Sequence, residues 1–406
     1  MIGAKKIKIL FIGYAPVPPF NGGNIHIYNL LRNLNEYIEI NLVYYLQYGD
    51  KRKLGGKVLE NLGFHFSDIK GFEIFIPLTN WQRIKGIFSK LPPGAHYMEN
   101  TIGRPMRNYV EKLVKEKKID IIHLWSPNLA YSFNRITQIP KILTAGDSFS
   151  LIHKSFASDK KFPYSLYHRI VSSRFAKYEH EIYPNYQAVI FFSARDKEAA
   201  NLPGKVKQYI FPIGVDADIF PLKVKEKKGH APTFVFHGFF GHYPNIKSVE
   251  FLINTIGPHL CSELGEKGFK IWLIGKGSKE LWGQFDFPWL EVFGYVNNLP
   301  ELLLKADLYL APVFSGAGMK NKVLEAMAAG LPVIGTQEAF AGIDIKDGIQ
   351  GIIAEPEDFT SQILKLVSRP DLCEKIGFNA RKLVVEKYSW KAISEKYYQL
   401  YEDLLS

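Results

Sequence analysis

Cysteine is nearly absent from this chain: only Cys261 and Cys373 occur among its 406 residues. Two thiols cannot build a disulfide framework or a cysteine-rich zinc site, so we expect reduced thiols in a cytosolic protein. Long apolar runs are missing too, since no window approaches the ~18 consecutive apolar residues of a membrane span. The apolar run at residues 9–12 follows several lysines but is too short for a secretory signal. These absences predict a cytoplasmic protein without a membrane-spanning helix.

The composition shows no bias toward disorder or a fibrous repeat. Hydrophobic residues make up 47% of the chain and charged residues 22%, which is close to the average of soluble globular proteins. A length of 406 residues corresponds to two or three domains at roughly 100–200 residues each. A folded protein of more than one domain is therefore expected.

Positive charge is concentrated in the first half of the chain. Residues 1–212 contain 30 Lys and Arg against 16 Asp and Glu, whereas residues 213–406 contain 21 against 24. A basic half of this kind predicts contact with an anionic partner, such as a membrane surface, a lipid phosphate or nucleic acid. The alternative is that lysines such as Lys115 only solvate helices, and both interpretations stay open.

Short apolar runs alternate with amphipathic segments along the whole length. Continuous apolar runs separated by helices are typical of parallel strands whose two faces are both covered. Two such sets, each of about 200 residues, predict two doubly wound α/β domains with ligands at the carboxyl ends of the strands. A polar run at residues 223–229 is typical of a linker between them. The expected strands are residues 7–12, 38–45, 119–124, 141–144, 188–193, 233–237, 270–274, 290–293, 308–311 and 332–335.

The segment at residues 308–336 carries the clearest chemical signal. A buried strand is followed by a loop of small residues at 315–318, and then by a helix that Gly330 closes at its carboxyl end. Small residues let the backbone approach a ligand, and the N–H groups at a helix amino terminus favour an anion. Lys320 and Lys322 add positive charge where the helix dipole disfavours it, which predicts a bound phosphate.

Glu325 adds a carboxylate to the same helix. It lies three residues after Lys322 and therefore on the same face. A carboxylate one turn inside the helix can accept hydrogen bonds from vicinal hydroxyls, as on a ribose. The alternative is a surface ion pair between Lys322 and Glu325 that contributes about 0.2–0.5 kcal/mol. The glycines and lysines together favour the binding site.

These residues resemble a known signature. The segment at residues 308–336 is similar to the donor-nucleotide motif of the GT-B glycosyltransferases, in the large retaining group 1 (family 4) set. Its sub-pattern from Gly316 to Met327 resembles the exopolysaccharide-type branch of that set. The resemblance implies a GT-B architecture of two Rossmann-like doubly wound domains that face a central cleft. It implies an acceptor-side domain at residues 1–212, a nucleotide-sugar donor domain at 213–385, and a helix at 386–406 that crosses back to the first domain.

Other motifs match the family in the expected order over nearly the whole chain. The resemblance implies that the donor diphosphate lies near the glycine-rich loop at residues 19–23 and the reacting sugar near His123. It also implies donor contacts in the loops that follow the strands of the second domain. The implied donor-binding residues are Gly22, Gly23, Gly238, Gly275, Lys276, Tyr295, Gly316, Ala317, Gly318, Met319, Lys320, Asn321, Lys322 and Glu325.

The chain departs from the family pattern at two points. The family usually has two glutamates separated by seven residues; Glu325 matches the second, and Ala317 stands at the first, which normally contacts the donor sugar. The arginine and lysine that usually follow the first donor-domain strand are replaced by Phe239 and Pro244. We therefore expect the two lysines of the donor helix to neutralise the phosphates instead.

The resemblance implies transfer of a sugar from a nucleotide diphosphate donor to a hydroxyl of a polysaccharide or lipid-linked glycan precursor, with the anomeric configuration retained. Lysines and backbone N–H groups would stabilise the leaving diphosphate, so neither a metal nor another cofactor is expected. The catalytic candidates are His123, Asp147 and Lys322. His123 would contact the sugar or assist the acceptor proton, or instead belong to a polar network. Asp147 would orient or deprotonate the acceptor hydroxyl, or instead cap the next helix.

Two segments of the basic half are candidates for acceptor or membrane contact. Residues 81–90 mix aromatic residues with three cations, which is typical of an interfacial helix on an anionic membrane or of a short docking helix within the protein. Residues 162–178 also combine tyrosines with cations, but this pattern favours core packing. Peripheral contact with the inner face of the cell membrane is therefore an open expectation.

Three other function classes compete with a transferase. A nucleotide-sugar-binding protein without activity would explain Ala317, but it gives His123 no role. A nucleotide-sugar epimerase on the same architecture would need no acceptor surface. Nucleic-acid binding is disfavoured because no recognisable nucleic-acid module accompanies the basic charge.

Overall fold

The structure, a computed structural model, describes residues 6–16, 24–34, 38–47, 66–74, 86–220, 231–316 and 318–406. The chain divides into two compact units, one formed by Met1–Pro212 with Ile393–Ser406 and the other by Ile213–Ala392. Each unit contains one parallel sheet, so the expected α/β class with two Rossmann-like parallel-sheet domains is confirmed. The expected linker at residues 223–229 lies outside the described residues.

The first unit is built on seven parallel strands. Its inner strands are continuous apolar runs because helices cover both faces of such a sheet. In strand Ile7–Tyr14, for example, the residues from Ile9 to Gly13 are all buried. The strands are β1 (Ile7–Tyr14), β2 (Ile38–Gln47), β3 (Phe66–Ile74), β4 (Ile121–Trp125), β5 (Lys141–Gly146), β6 (Ala188–Phe191) and β7 (Lys207–Ile210). They are ordered β3-β2-β1-β4-β5-β6-β7.

The helices of the first unit present apolar residues at helical spacing to the core. In helix Arg104–Lys117 the buried residues are Met106, Val110 and Leu113, which follow one another at intervals of four and three. The helices are α1 (Asn24–Leu34), α2 (Pro93–Met98), α3 (Arg104–Lys117), α4 (Ala130–Phe133), α5 (Phe149–Asp159), α6 (Tyr164–Ile182) and α7 (Ala194–Ala200). A π-helical turn, Glu99–Gly103, joins α2 to α3.

The second unit has six parallel strands and seven helices within the described residues. The strands are β8 (Thr233–His237), β9 (Lys270–Ile274), β10 (Leu290–Gly294), β11 (Leu308–Ala311), β12 (Val333–Gly335) and β13 (Ile352–Ile353), in the order β10-β9-β8-β11-β12-β13. The helices are α8 (Tyr243–Phe251), α9 (Gly257–Leu264), α10 (Ser278–Trp282), α11 (Leu299–Lys305), α12 (Asn321–Ala328), α13 (Phe359–Val367) and α14 (Pro370–Leu383).

The last helix, α15, spans Trp390–Leu405. Its residues from Ile393 onward belong to the first unit, where Tyr397 and Tyr401 are fully buried. Among the described residues, none of the helices has the combination of length and apolarity that crossing a membrane would require.

Three strands were not expected from the apolar runs: β3, β7 and β13. All three lie at the edge of a sheet. Strand β7 has no buried residue, and in β3 only Ile74 is buried. An edge strand has a neighbour on one side only and less cover on its faces, so it does not need a continuous apolar run.

The strand order of the second sheet contains a switch point. From β8 the chain adds β9 and β10 on one side, and it then returns to place β11 against the opposite side of β8. Loops that leave neighbouring strands in opposite directions open a crevice at the carboxyl ends of those strands. The carboxyl ends of β8 and β11 are therefore the place to look for a ligand.

Candidate functional site

Most of the expected donor-binding residues follow four neighbouring strands of the second sheet. Gly238 follows β8, Gly275 and Lys276 follow β9, and Tyr295 follows β10. Lys276 is exposed and Tyr295 is 75% exposed. Met319, which is buried, lies in the turn from β11 into α12, and Asn321, which is half-buried, is the first residue of α12. Gly22, Gly23 and Ala317 lie outside the described residues.

The loops after β8 and β9 approach each other through their backbones. The N–H of Gly238 donates to the carbonyl of Ile274 at 3.0 Å, and the N–H of Gly275 donates to the carbonyl of Gly294 at 2.7 Å. A Cβ at position 275 would lie 2.0 Å from the carbonyl oxygen of Gly238, and the φ angle of Gly275 is 137°. Only glycine fits there without separating the two loops.

Lys320 holds together the loop that precedes α12. Its Nζ donates to the carbonyl oxygens of Gly316 at 3.2 Å and Gly318 at 2.7 Å, and it forms an ion pair with Glu338 at 3.2 Å. Its side chain is only 10% exposed. The positive charge of Lys320 is thus already compensated by protein groups, and its role in the loop is structural.

Lys322, two residues further along the chain, has no such compensation. Its Nζ donates to Oδ1 of Asn245 at 2.5 Å and lies 4.3 Å from the centre of the Phe236 ring. Burial, and then the positive charge of Lys320, lower the pKa of Lys322 to about 7. Among the described residues no carboxylate forms an ion pair with it, so the surface pair with Glu325 considered from the sequence is not formed.

Glu325 instead contacts a histidine across the switch point. Nε2 of His237, the last residue of β8, donates to Oε2 of Glu325 in α12 at 2.7 Å. The hydroxyl of Tyr309 in β11 accepts from the N–H of His237 at 3.4 Å, and the two rings pack edge to face. The Glu325 side chain remains 33% exposed, so its carboxylate is held in place but accessible.

The sequence did not identify His237 or Asn245 as site residues. His237 carried a signal that could have been used, because it is a polar residue at the end of a buried strand beside the switch point. Its Nδ1 is buried and makes no hydrogen bond with a described residue, so this ring nitrogen remains available for a hydrogen bond. Asn245 carried no signal, because its partner Lys322 is 77 positions away.

His123 lies in the middle of β4, whereas the expected strand at residues 119–124 placed it next to the carboxyl end. It is fully buried, with Nδ1 2.7 Å from the hydroxyl of Tyr401 and Nε2 2.8 Å from the hydroxyl of Thr144. The ring also stacks on Tyr397, with 5.5 Å between the ring centres. Both ring nitrogens are occupied by protein groups, which favours the polar-network interpretation of His123.

Asp147 follows β5 and is half-buried, but it does not cap the next helix. The residue at the amino-terminal cap of α5 is Ser148, whose hydroxyl accepts from the N–H of Leu151 at 3.3 Å. The hydroxyl of Ser148 also donates to the buried carboxylate of Glu179 at 3.1 Å. The capping alternative for Asp147 is therefore wrong, because its neighbour performs that function.

Three histidines make the first unit sensitive to acid. Burial lowers the pKa of His26 and of His153 to about 4 and the pKa of His123 to about 3, and the neighbouring His168 adds to the effect on His153. The unfolded chain takes up these protons near pH 6.5, so protons favour unfolding below that value. We expect the free energy of unfolding to fall by about 1.4 kcal/mol per pH unit for each histidine between about pH 6.5 and 5.

Urea unfolding across this pH range measures that slope. The control is His123→Phe, which keeps a ring in the core but removes one of the three titrating groups. We expect the slope of the variant to be about two thirds that of the parent. Equal slopes would contradict the assignment of His123 as a neutral buried histidine.

Among the residues that the structure describes, no group of three or more histidine, cysteine or carboxylate side chains could hold a metal ion. Positive charge at the switch point is supplied by Lys322 and by the amino terminus of α12, where the first backbone N–H groups have no partner within the helix.

Comparisons with known proteins agree with this geometry. Residues 231–369 match the family described as "Glycosyl transferases group 1". An uncharacterized glycosyltransferase of Methanocaldococcus jannaschii is 27% identical over 104 residues, which cover 25% of this chain and 26% of that protein. The capsular polysaccharide biosynthesis glycosyltransferase CapM of Staphylococcus aureus is 27% identical over 180 residues, which cover 41% of this chain and 46% of that protein. These alignments thus span less than half the length of either relative.

A whole-chain similarity exists at the level of fold. The crystal structure of Anabaena Alr3699/HepE in complex with UDP has a TM-score of 0.63 and covers 98% of this chain and 100% of that one, at 13% sequence identity. Identity this low indicates a shared fold alone. That fold is the GT-B architecture of two Rossmann-like domains, as the sequence predicted.

Proposed function

We propose that this protein is a glycosyltransferase that binds a nucleotide-diphosphate sugar at the switch point of its second sheet and transfers the sugar to a hydroxyl acceptor. The match of residues 231–369 to the group 1 family supports the reaction class. The observation that carries the proposal is Lys322, a largely buried ammonium group with no carboxylate partner among the described residues.

An anion beside Lys322 would remove the free-energy cost of burying its unpaired charge. A buried charge without a counter-ion is unfavourable, and here the cost appears as a pKa for Lys322 of about 7. A diphosphate beside Nζ would supply two negative charges within reach of the amino terminus of α12, which also favours anions. The same contacts would stabilise the charge that develops on the diphosphate as it leaves. We propose that this makes a metal unnecessary.

Glu325 is the proposed partner of the donor ribose. Its carboxylate is accessible, and His237 fixes its orientation through the 2.7 Å hydrogen bond. Two hydroxyls on neighbouring carbons can donate to such a carboxylate. The UDP in the complex of the Anabaena protein supports a nucleoside diphosphate as the class of ligand, but we leave the base open.

During transfer, the bond between the anomeric carbon and the diphosphate oxygen breaks, a bond to the acceptor oxygen forms, and the acceptor proton leaves. Asp147, a carboxylate directly after β5, is our candidate for orienting that acceptor hydroxyl. For His123 we propose a positioning role through β4 and α15. Its buried hydrogen-bond network supports this role. Retention of the anomeric configuration, with Ala317 offering no carboxylate to the sugar, stays a prediction. The identity of the acceptor as a polysaccharide or lipid-linked glycan precursor also stays a prediction.

Thermal unfolding with a panel of nucleotide sugars, without added metal, tests donor binding. A ligand at about 100-fold its dissociation constant adds roughly 2.7 kcal/mol to the stability of the unit that binds it. We expect one nucleotide sugar to raise the unfolding midpoint and Glu325→Gln to weaken its binding about tenfold, because one strong acceptor for the ribose is lost. The matched control is Glu263→Gln, which removes an exposed carboxylate near the end of α9 and should leave binding unchanged.

Product analysis distinguishes the competing functions. Incubation with the stabilising nucleotide sugar and candidate acceptors should release nucleoside diphosphate and yield a glycosylated product. Release of nucleoside diphosphate without a glycosylated product would indicate hydrolysis. An isomerised nucleotide sugar would indicate an epimerase. Binding without any reaction, over a wide range of acceptors, would support a binding protein and overturn the proposed transfer.

A further inference from the structure

Helices α5 and α6 form a hairpin whose tip and outer face are apolar and exposed. The side chain of Phe162 is 79% exposed, that of Tyr164 67% and that of Leu166 50%. The sequence favoured core packing for this segment, and the structure confirms it for Val171, Phe175 and Tyr178, whereas the residues before them, apart from the partly buried Tyr167, mostly face solvent. Large apolar groups clustered at a protein surface usually mark an interaction site.

The charge of the hairpin is positive. Residues 149–182 contain six Lys and Arg and three acidic residues, of which Glu179 is fully buried. On α6, Arg169 and Ile170 lie three and four residues after Leu166, and Ser173 lies four and three residues after them, so apolar and cationic groups share one face. This combination is typical of a helix that lies in the interface of an anionic membrane.

A surface pocket of about 390 Å³ lies between the two helices. It is lined by two cations and three hydroxyl groups, together with one small apolar side chain: Lys154, Arg169, Ser158, Ser172, Ser173 and Ala157. Among the described residues, no carboxylate pairs with Lys154 or Arg169. The hydroxyls of Ser158 and Ser172 already donate to backbone carbonyls. The donors for a phosphate group are therefore the ammonium of Lys154, the guanidinium of Arg169 and the hydroxyl of Ser173.

The walls of this pocket are held by internal hydrogen bonds. The hydroxyl of Ser172 in α6 donates to the carbonyl of Ser150 in α5 at 2.8 Å, and the hydroxyl of Ser150 donates to Glu179 at 2.7 Å. The buried carboxylate of Glu179 thus connects both helices. The two helices that carry the donor groups are therefore fixed before a ligand binds. This lowers the entropic cost of binding.

We propose that the α5/α6 hairpin docks on an anionic membrane and takes the phosphate of a phospholipid headgroup between Lys154 and Arg169. The exposed side chains of Phe162, Tyr164 and Leu166 enter the boundary between headgroups and acyl chains, and the remaining cations face the lipid surface. The charge complementarity of the hairpin selects an anionic lipid as the partner. The proposal concerns the first unit alone and does not depend on transferase activity.

Vesicle sedimentation with the full chain tests this proposal. We expect binding to vesicles of phosphatidylcholine with phosphatidylglycerol, and much weaker binding to phosphatidylcholine alone. The double variant Lys154→Gln with Arg169→Gln should lower the partition coefficient about 30-fold, since each cation near an anionic surface contributes about fivefold. The matched control, Lys267→Gln with Lys375→Gln, removes two exposed cations of the second unit and should leave binding nearly unchanged.

A second variant tests the apolar contribution. Tyr164→Gln with Leu166→Gln changes two exposed side chains, so the unfolding midpoint should stay that of the parent, and binding to the same vesicles should fall at least tenfold. Free glycerol phosphate should not compete at concentrations that leave the vesicles intact, because it offers no acyl boundary. The proposal is overturned if anionic and neutral vesicles bind equally, or if the hairpin and control double variants lose binding to the same extent. It is also overturned if glycerol phosphate alone displaces the protein, which would indicate a site for a soluble phosphate.

Discussion

Replacing Lys322 with glutamine is expected to weaken binding of a nucleotide sugar about 10- to 100-fold below pH 7. The lost interaction is a charged hydrogen bond to a phosphate oxygen, which contributes about 1.5–3 kcal/mol. The loss should be large because the ammonium group is already desolvated in the empty site and packs against Phe236. Isothermal titration with the nucleotide sugar that stabilises the parent protein measures the change directly.

The same lysine should make the affinity of the parent protein depend on pH. In the free protein Lys322 loses its proton near pH 7, whereas a bound diphosphate raises its pKa. The affinity should therefore be highest below pH 7 and fall by up to tenfold per pH unit above it. A nucleotide sugar is the right probe, because its diphosphate does not titrate in this range.

Lys322→Arg separates this effect from other titrations nearby. Arginine stays charged, so the variant should bind with little change between about pH 6 and 9. Lys320, Glu338, His237, Glu325 and His242 also line this part of the unit and are present in both proteins. If the pH dependence persists in the arginine variant, one of these groups causes it and the assignment to Lys322 is wrong.

His123→Ala is expected to destabilise the first unit by about 3 kcal/mol or more. The substitution leaves a void in a close-packed aromatic cluster and removes the partners of two buried hydroxyl groups, those of Thr144 and Tyr401. For a unit of about 200 residues this corresponds to a fall in the unfolding midpoint of roughly 6–12 °C. Differential scanning calorimetry should show this fall in the transition of the first unit.

Two further variants divide that loss into its parts. His123→Phe restores most of the ring volume but not the hydrogen bonds, so its loss should be smaller. Tyr401→Phe removes one hydrogen bond and should cost about 1 kcal/mol. Below the transition temperature the affinity for the nucleotide sugar should be the same in all three variants. A catalytic His123 would instead give a stable alanine variant with greatly reduced turnover.

Much of the secondary structure of the second unit could be predicted from the sequence, because the sequence signals for its strands and helix ends are local. The apolar runs at residues 233–237, 270–274 and 308–311 are β8, β9 and β11 without a change of boundary. Burial on both faces of an inner parallel strand demands such a run, whatever the rest of the chain does. The small loop followed by α12 and Gly330 was equally local, since caps and turns depend on a few neighbouring residues.

The pairings within the candidate sites did not follow from the sequence. Glu325 meets His237 over 88 positions, and His123 meets Tyr401 over 278. Nothing local distinguishes these partners from other polar residues, because they become neighbours only when the strand order is fixed. That order also decided that Lys322 contacts Asn245 and does not pair with Glu325 on its own helix.

The sequence by itself determined the class of fold, the inner strands and the position of the donor signature. The tertiary structure decided which edge strands complete the sheets, which lysine lacks a counter-ion, and which face of α6 meets solvent. The reason is physical: apolar periodicity records that a face is buried, but not which neighbour buries it. A face with apolar and cationic residues together, such as that of Leu166 and Arg169, can be assigned only when the elements around it are in place.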